Sequence, residues 1–411
     1  MKTFFGNAVV GQSGGPTAAI NATLAGVIRG AKEAIEQGAI GKIYGMRNGV
    51  EGLFDERLID LGSFFDTEEK LSILEHTPAA ALGSCRLKLP AIGTGEEKYA
   101  KLLEIFRKYD IRYFFYIGGN DSMDTVAKLS DYTAKQNYEM RIIGVPKTID
   151  NDLVGTDHTP GFGSAAKYIA TTMQEIIRDC AVYTLKAVTI VEIMGRDAGW
   201  LTASAALPRI VNCTAPDYVY LPERPFTIER FFADIRAALE VHPNVVIAVS
   251  EGVRFPDGRY VCEANQDGKR DAFGHLQLSG TGKVLEYAVK DEIGCKVRSV
   301  ELNIPQRCAS HIASETDLAE SVRIGKGAVK AALSGVSGHM MTMLRSENGY
   351  EITISSSDVS NIANKVKRVP DAFINEASNN VTDECLHHIL PLIQGEPRLE
   401  FENGLPVHIV L

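Results

Sequence analysis

Residues Gly144 to Asp152 read GVPKTIDND, so Lys147, Thr148, Asp150 and Asp152 fall within a few positions of one another, directly after an apolar run. On an extended segment, residues two apart project to one side, which would pair Asp150 with Asp152. Two carboxylates sharing a side repel unless a cation or a proton-transfer task holds them there. One can take a proton from a hydroxyl and the other can hold Mg²⁺. Lys147 would then neutralise charge developing on a transferring phosphoryl group. Strict alternation turns Lys147 to the opposite side, but a loop need not alternate. The plainer reading is an exposed salt bridge, which contributes little.

Similar tips recur along the chain. GQSGGPT (Gly11 to Thr17) has adjacent glycines whose N–H groups can approach an anion, with a helix start behind them. A tight strand–helix turn explains it equally well. GGNDS (Gly118 to Ser122) pairs two glycines with Asn120 and Asp121, whose oxygens suit a hydrated Mg²⁺ or a helix N-cap. MGRDAG (Met194 to Gly199) sets Arg196 where a strand meets a helix, which suits phosphate. In SEG (Ser250 to Gly252), Glu251 suits a sugar hydroxyl, although both segments also read as ordinary polar surface. Arg298 and Arg307 flank an apolar strand, and a guanidinium grips phosphate bidentately when it is not simply solvated. The first loop lacks the GxGxxG pattern of a dinucleotide site. Gly280-Thr-Gly-Lys283 lacks the upstream glycine and following Ser/Thr of a Walker loop and reads as a turn.

These tips need a frame. Ala8 to Val10 reads as a strand and Pro16 to about Ile35 as a helix. Glu97 to Tyr109 reads as a helix, Arg112 to Ile117 as a strand, Asp121 to about Gln136 as a helix and Ile142 to Val145 as a strand. Ser164 to Asp179 (helix), Ala187 to Met194 (strand), Asp197 to Leu207 (helix) and Val245 to Ser250 (strand) continue the rhythm. A strand from Ser299 to Ile304 and a helix from Glu315 to Leu333 follow, while residues 44–90 are less regular. Alternating strands and helices imply an α/β class, with parallel sheets covered on both faces. Ligands then bind beyond the carboxyl ends of the strands, where the unusual tips lie.

The chain has 411 residues, room for about two domains. Its 45% hydrophobic and 23% charged content is that of a soluble globular protein. A formal net charge of −9 argues against nucleic acid as a partner. Seven scattered cysteines without a CxxC pair point to reduced thiols rather than a disulfide or zinc framework. No apolar run is long enough for a membrane span, and the N-terminal apolar patch runs into a glycine turn as a first strand would.

Taken in order, SGG, LGSCR, GGND, PKTIDND, VEIMGR, SEG and PQR resemble the phosphofructokinase family over Gly11 to about Gly338, and within it the pyrophosphate-dependent branch. The resemblance implies two Rossmann-like three-layer α/β/α domains with the active site in the cleft between them. Residues 1–162 would bind pyrophosphate and Mg²⁺, residues 163–305 the sugar phosphate, and residues 306–411 would pack back across both. The implied reaction is reversible, Mg²⁺-dependent phosphoryl transfer from pyrophosphate to the 1-hydroxyl of fructose 6-phosphate, in the cytoplasm. The implied catalytic residues are Asp150 as base, with Lys147 and Thr148. Gly14, Gly15, Arg86, Gly119 and Asp121 would meet the donor. Thr148, Asp150, Asp152, Met194, Gly195, Arg196, Glu251, Arg298 and Arg307 would meet the sugar phosphate, and Asn120 and Asp152 the metal. Arg298 would reach the neighbouring subunit's site, implying at least a homodimer, with Lys186 as a second basic residue of that kind.

Relatives that use ATP have glycines at the positions of Asp121 and Lys147. A carboxylate at 121 would repel an α-phosphate, and Lys147 suits a donor with no nucleotide to hold. Many relatives carry aspartate where Asn120 stands, so Asp121 or Asp124 would have to help with the metal. Ile304 replaces a histidine or tyrosine that often contacts the sugar phosphate. The alternatives are an ATP-dependent enzyme, or a non-catalytic regulatory member, which would be expected to lack Asp150 and Asp152. An NAD or lipid kinase shares only the GGD-like turn.

Overall fold

The computed structural model describes residues 4–265, 278 and 280–411. Its strands are β1 (Asn7–Gln12), β2 (Ile43–Met46), β3 (Leu58–Asp60), β4 (Ile111–Gly118), β5 (Arg141–Pro146), β6 (Ala187–Ile193), β7 (Tyr218–Tyr220), β8 (Asn244–Ser250), β9 (Lys296–Glu301), β10 (His339–Arg345) and β11 (Ile352–Asp358), followed by a two-stranded ribbon near the C-terminus. A seven-stranded sheet runs β11-β10-β5-β4-β1-β2-β3, and a four-stranded sheet runs β7-β8-β6-β9. The second is wholly parallel; in the first, only β3 and β11 run against their neighbours.

Parallel strands covered on both faces must be apolar throughout. That is why β1, β4, β5, β6 and β8 are almost entirely buried. β4 shows no in–out alternation: Tyr113, Phe114 and Phe115 are all buried, with Phe115 opposite Val10 on one side and Ile143 on the other. Burying each such ring stabilises the fold by roughly 1.5–3 kcal/mol. The helices Ile20–Glu36 and Glu315–Leu333 pack together at glycines. A Cβ on Gly26 would sit 2.2 Å from Val322 O, and one on Gly325 2.3 Å from Thr23 O, so this approach is closed to any larger residue.

Several sequence expectations need adjustment. The first helix begins at Ile20 rather than Pro16, because Ser13 to Ala19 form a loop. The expected helix 197–207 is one short turn, Trp200–Ser204, followed by a 3₁₀ turn at Leu207–Val211. The strand expected at 299–304 is β9, which starts and ends earlier. Gly280 to Lys283 is not a free turn but opens the helix Thr281–Glu292, where the Glu192 carboxylate accepts from Gly282 N at 2.7 Å. Residues 44–90 hold short strands and short helices. The last part of the chain serves both sheets: β10 and β11 extend the first, while Val369, Ile374, Val381 and Leu386 enter a core built on β6 and β8. None of the seven cysteines is in a disulfide, and among the described residues no helix is long and apolar enough to cross a membrane.

Candidate active site

One cavity of about 540 Å³ lies where the two sheets face each other, at the carboxyl ends of β1, β4, β5, β6 and β8. Its walls include Gly14, Gly15, Arg86, Gly119, Asn120, Asp121, Lys147, Thr148, Asp150, Asp152, Met194, Arg196, Glu251 and Arg307. Tips far apart in sequence thus meet at one place, as strand-end binding requires.

The lysine sits at the centre. Lys147 N donates to Gly118 O at 3.0 Å, continuing the β4–β5 ladder past Pro146, and its Nζ donates to Gly15 O at 2.6 Å. The side chain is only 3% exposed. Burial pushes its pKa down to about 8, against the pull of Asp150 and then Asp152. A buried ammonium costs several kcal/mol if unpaired. Its hydrogen bond to a carbonyl leaves its other N–H donors for the cavity. Gly14 has φ +78°, and a Cβ there would lie 3.3 Å from Lys147 Nζ, so the glycine turn is what lets the lysine reach across the loop.

Asp150 and Asp152 both face the cavity, but not by strand alternation. Asn151 between them has φ +52°, a left-handed kink that asparagine tolerates. Thr148 fixes the approach: its Oγ1 accepts from Asp150 N at 3.1 Å, and its carbonyl accepts from Thr159 Oγ1 at 2.7 Å. Burial raises the pKa of Asp150, with Lys147 opposing; burial also raises Asp152, with the Asp150 charge adding to it. A carboxyl held above its usual range beside a cation is suited to accept a proton.

On the opposite wall, Gly195 takes φ +136° and donates its N–H to Glu251 Oε1 at 3.2 Å. Glu251 is itself pushed up to about 8 by burial. Ser250 Oγ donates to Gly195 O at 2.6 Å, and Gln306 Oε1 accepts from Met194 N at 3.2 Å. Arg307 follows Gln306 on the short helix Pro305–Cys308, and a Cβ on Gly15 would lie 3.7 Å from its Nη1. Its guanidinium therefore spans from the wall of Met194 and Glu251 to the first glycine loop.

Asp121 Oδ1 lies 2.9 Å from Lys88 Nζ. Both side chains are more than a third exposed, and such a pair contributes at most about 1 kcal/mol, so stability does not account for it. Asn120 donates Nδ2 to Lys365 O at 3.0 Å, while its Oδ1 is buried without a partner. Asp124 does not join the cavity; it pairs with Lys128 at 2.6 Å, which removes it as a helper for the metal. Ile304 is 54% exposed and lines no part of the cavity. Arg298 is not brought to the cleft of its own chain either. It stands on β9, 3.9 Å from Asp179, and Lys186 is near Glu240 at 3.6 Å.

Sequence reading misses Lys88, Gln306, Asp197, Asn364 and Val366, the last two from the unassigned C-terminal part. Lys88, Gln306 and Asp197 lie inside or beside LGSCR, PQR and MGRDAG, so position within a motif is their available signal. The arrangement as a whole gathers carboxyls held above their usual range, cations suited to anionic groups and a glycine cradle, the kinds of groups phosphoryl transfer uses.

Comparison with known proteins points the same way. Residues 7–332 match the family model described as Phosphofructokinase. The pyrophosphate–fructose 6-phosphate 1-phosphotransferase of Halomonas elongata is 41% identical over 403 residues, covering 97% of this chain and 94% of that protein. Its namesake from Methylococcus capsulatus is 39% identical over 98% of this chain and 96% of its own. The crystal structure of a pyrophosphate-dependent phosphofructokinase from Nitrosospira multiformis superposes with a TM-score of 0.88 at 37% identity, covering 98% of this chain and 95% of that one.

Proposed function

The chain belongs to the phosphofructokinase family, and from that premise we propose that it transfers a phosphoryl group from pyrophosphate to the 1-hydroxyl of fructose 6-phosphate, giving fructose 1,6-bisphosphate and phosphate. The step is reversible and serves glycolysis in the cytoplasm. The observation that carries the donor assignment is the buried Lys147 ammonium against Gly15 O, beside Asp150, with the Asp121–Lys88 pair on the same wall.

Arg196 and Arg307 hold the 6-phosphate end, and Glu251 takes a sugar hydroxyl. Gly14, Gly15, Gly119 and Arg86 cradle pyrophosphate, which Asp121 keeps free of competition from a nucleotide. Asp150 accepts the 1-hydroxyl proton as the sugar oxygen bonds to phosphorus and the bridging P–O bond breaks, releasing phosphate. Lys147 offsets the charge that builds on the transferring group. Thr148 holds Asp150, and Asp152 keeps a second carboxylate at the metal side.

Mg²⁺ fits the donor set. Asn120 Oδ1 is buried without a partner, and Asp152 faces the same cavity. Among the described residues no group of three or more His, Cys, Asp or Glu side chains could cage a metal alone. Mg²⁺ commonly keeps several waters and binds one or two protein oxygens plus substrate phosphates. When bound it would neutralise donor charge, held by Asp152 and Asn120.

Initial rates on purified protein, with pyrophosphate or ATP as donor, fructose 6-phosphate as acceptor, and Mg²⁺ present or chelated, test the reading. Turnover with pyrophosphate far above that with ATP, lost on chelation, is expected. Faster turnover with ATP would replace it with the ATP-dependent alternative.

A further inference from the structure

One buried cation close to the cleft has no part in the reaction as described above. Lys367 lies on the segment 363–369, which crosses from one sheet to the other. Ala363 packs with the core under β4, and Val369 sits in the core under β6. The Lys367 ammonium donates to Asn151 Oδ1 at 3.0 Å, Asp157 O at 2.8 Å and Thr156 O at 3.1 Å, which uses every donor an ammonium has. Its main-chain N donates to Asp152 O at 2.7 Å, and its carbonyl accepts from Trp200 Nε1 at 3.1 Å. Among the described residues, no carboxylate is hydrogen-bonded to this ammonium.

That last point decides its role. A buried lysine kept for stability alone would face a carboxylate, because desolvating the charge costs several kcal/mol. Burial depresses its pKa to about 8, against the pull of the Asp157 and then the Asp152 charges, which act on it through space and not by hydrogen bond. Its acceptors are instead one amide oxygen and two carbonyls of a single loop. Asn151 is the residue between the two aspartates; it is fully buried, sits at φ +52°, and its Nδ2 has no partner. The bond to Lys367 is the one hydrogen bond its side chain makes among the described residues.

We propose that Lys367 is a positioning residue for phosphoryl transfer: by clamping the Asn151 side chain it holds the kink that aims Asp150 and Asp152 into the cleft. The inference rests on the assignment of Asp150 as the proton acceptor. It places part of the catalytic apparatus in the C-terminal part of the chain, on a segment whose Asn364 and Val366 line the same cavity.

The test compares Lys367→Met, Asn151→Gly and the double variant by kcat, both KM values and melting temperature, with Asp150→Asn alongside. Glycine accepts the positive φ but lacks the acceptor, so Asn151→Gly removes the clamp from the other end. Lys367→Met is expected to lower kcat about tenfold to a hundredfold, the range for a slightly misplaced catalytic group. KM for fructose 6-phosphate is expected to stay within about threefold, since Arg196, Glu251 and Arg307 lie outside the clamp. Asn151→Gly should lose a similar factor, and the double variant no more than the worse single, because both cut one link. A folded Lys367→Met enzyme with unchanged kcat overturns the inference, as does a double variant whose losses multiply. If Lys367→Met does not fold, Asn151→Gly decides alone, and unchanged turnover there is equally fatal. Asp150→Asn separates the two readings: if it keeps turnover, the assignment of the base fails; if it is inactive while Lys367→Met is not, only the clamp fails.

Discussion

Lys147 carries two separable predictions, because its charge and its position both matter. Removing a preorganised charge at the reacting group costs about 10²–10³ in turnover in enzymes of other kinds. Lys147→Gly is therefore expected to lower kcat with pyrophosphate by that order while leaving KM for fructose 6-phosphate nearly unchanged, since the proposed sugar-phosphate residues Arg196, Glu251 and Arg307 are unaltered. Steady-state kinetics with an unchanged rate would refute it. The second concerns pH. Burial lowers the Lys147 pKa to about 8, so the ammonium is present below that pH and lost above it. If the charged form is the working one, kcat/KM for pyrophosphate falls as pH rises through about 8. Lys147→Arg, which keeps its charge, should shift or remove that alkaline limb; a limb identical in both enzymes would assign it to another group. The lysine, threonine and aspartates of this loop are legible in the sequence because so many chemistry-bearing residues stand within one short loop. Their side chains' directions are not, because these depend on the φ of Asn151 and the reach across Gly14.

At the scale of elements, strands whose burial is complete on both faces can be read directly, as β4 and β8 show, because continuous apolar sequence leaves few alternatives. The start of the helix Glu315–Leu333 is readable, since Ser314 caps it and accepts from Asp317 N at 3.4 Å. Sequence pattern misplaces β9 because Val300, Leu302 and Ile304 keep alternating after the chain has left the sheet at Glu301; Asn303, at φ +43°, turns it away. It misses the helix after Gly280 because an N-terminal N–H there is satisfied by Glu192, on a distant strand. Lys367 gives no local sign, since the partners of its ammonium lie more than 200 positions away. The turn after β6 offers a test at this scale. Gly195 holds φ +136°, and a Cβ there would meet Ala198 O at 2.6 Å. Such a conformation costs an L-residue about 1–3 kcal/mol. Gly195→Ala should therefore displace the N–H that Glu251 accepts, raise KM for fructose 6-phosphate about tenfold or more, and lower the melting temperature by several degrees. A variant with unaltered KM would show that this turn does not shape the sugar site.

At the scale of the whole molecule, Arg298 poses the remaining question. It stands on β9, the edge of the four-stranded sheet, with its side chain 48% exposed and no part in its own cleft. Exposed apolar side chains stand beside it: Tyr183 and Leu185, both more than half exposed, line a cavity with Arg298. An open strand edge with apolar neighbours is the kind of surface that pairs with another chain. If Arg298 completes a neighbour's site, the enzyme works as a homodimer or larger assembly, and the dependence must show when subunits are mixed. Arg298→Ala alone should weaken fructose 6-phosphate binding, and Asp150→Asn alone should abolish turnover. A mixed dimer of the two has one site with Asp150 intact and facing an intact Arg298. Random pairing of equal amounts, after unfolding and refolding together, should then restore about a quarter of the unmutated rate at low fructose 6-phosphate. Recovery well above that of the separately refolded variants supports action in trans. A mixture that performs only as the average of its components would place the arginine's effect within its own chain, and the exposed edge would need another explanation.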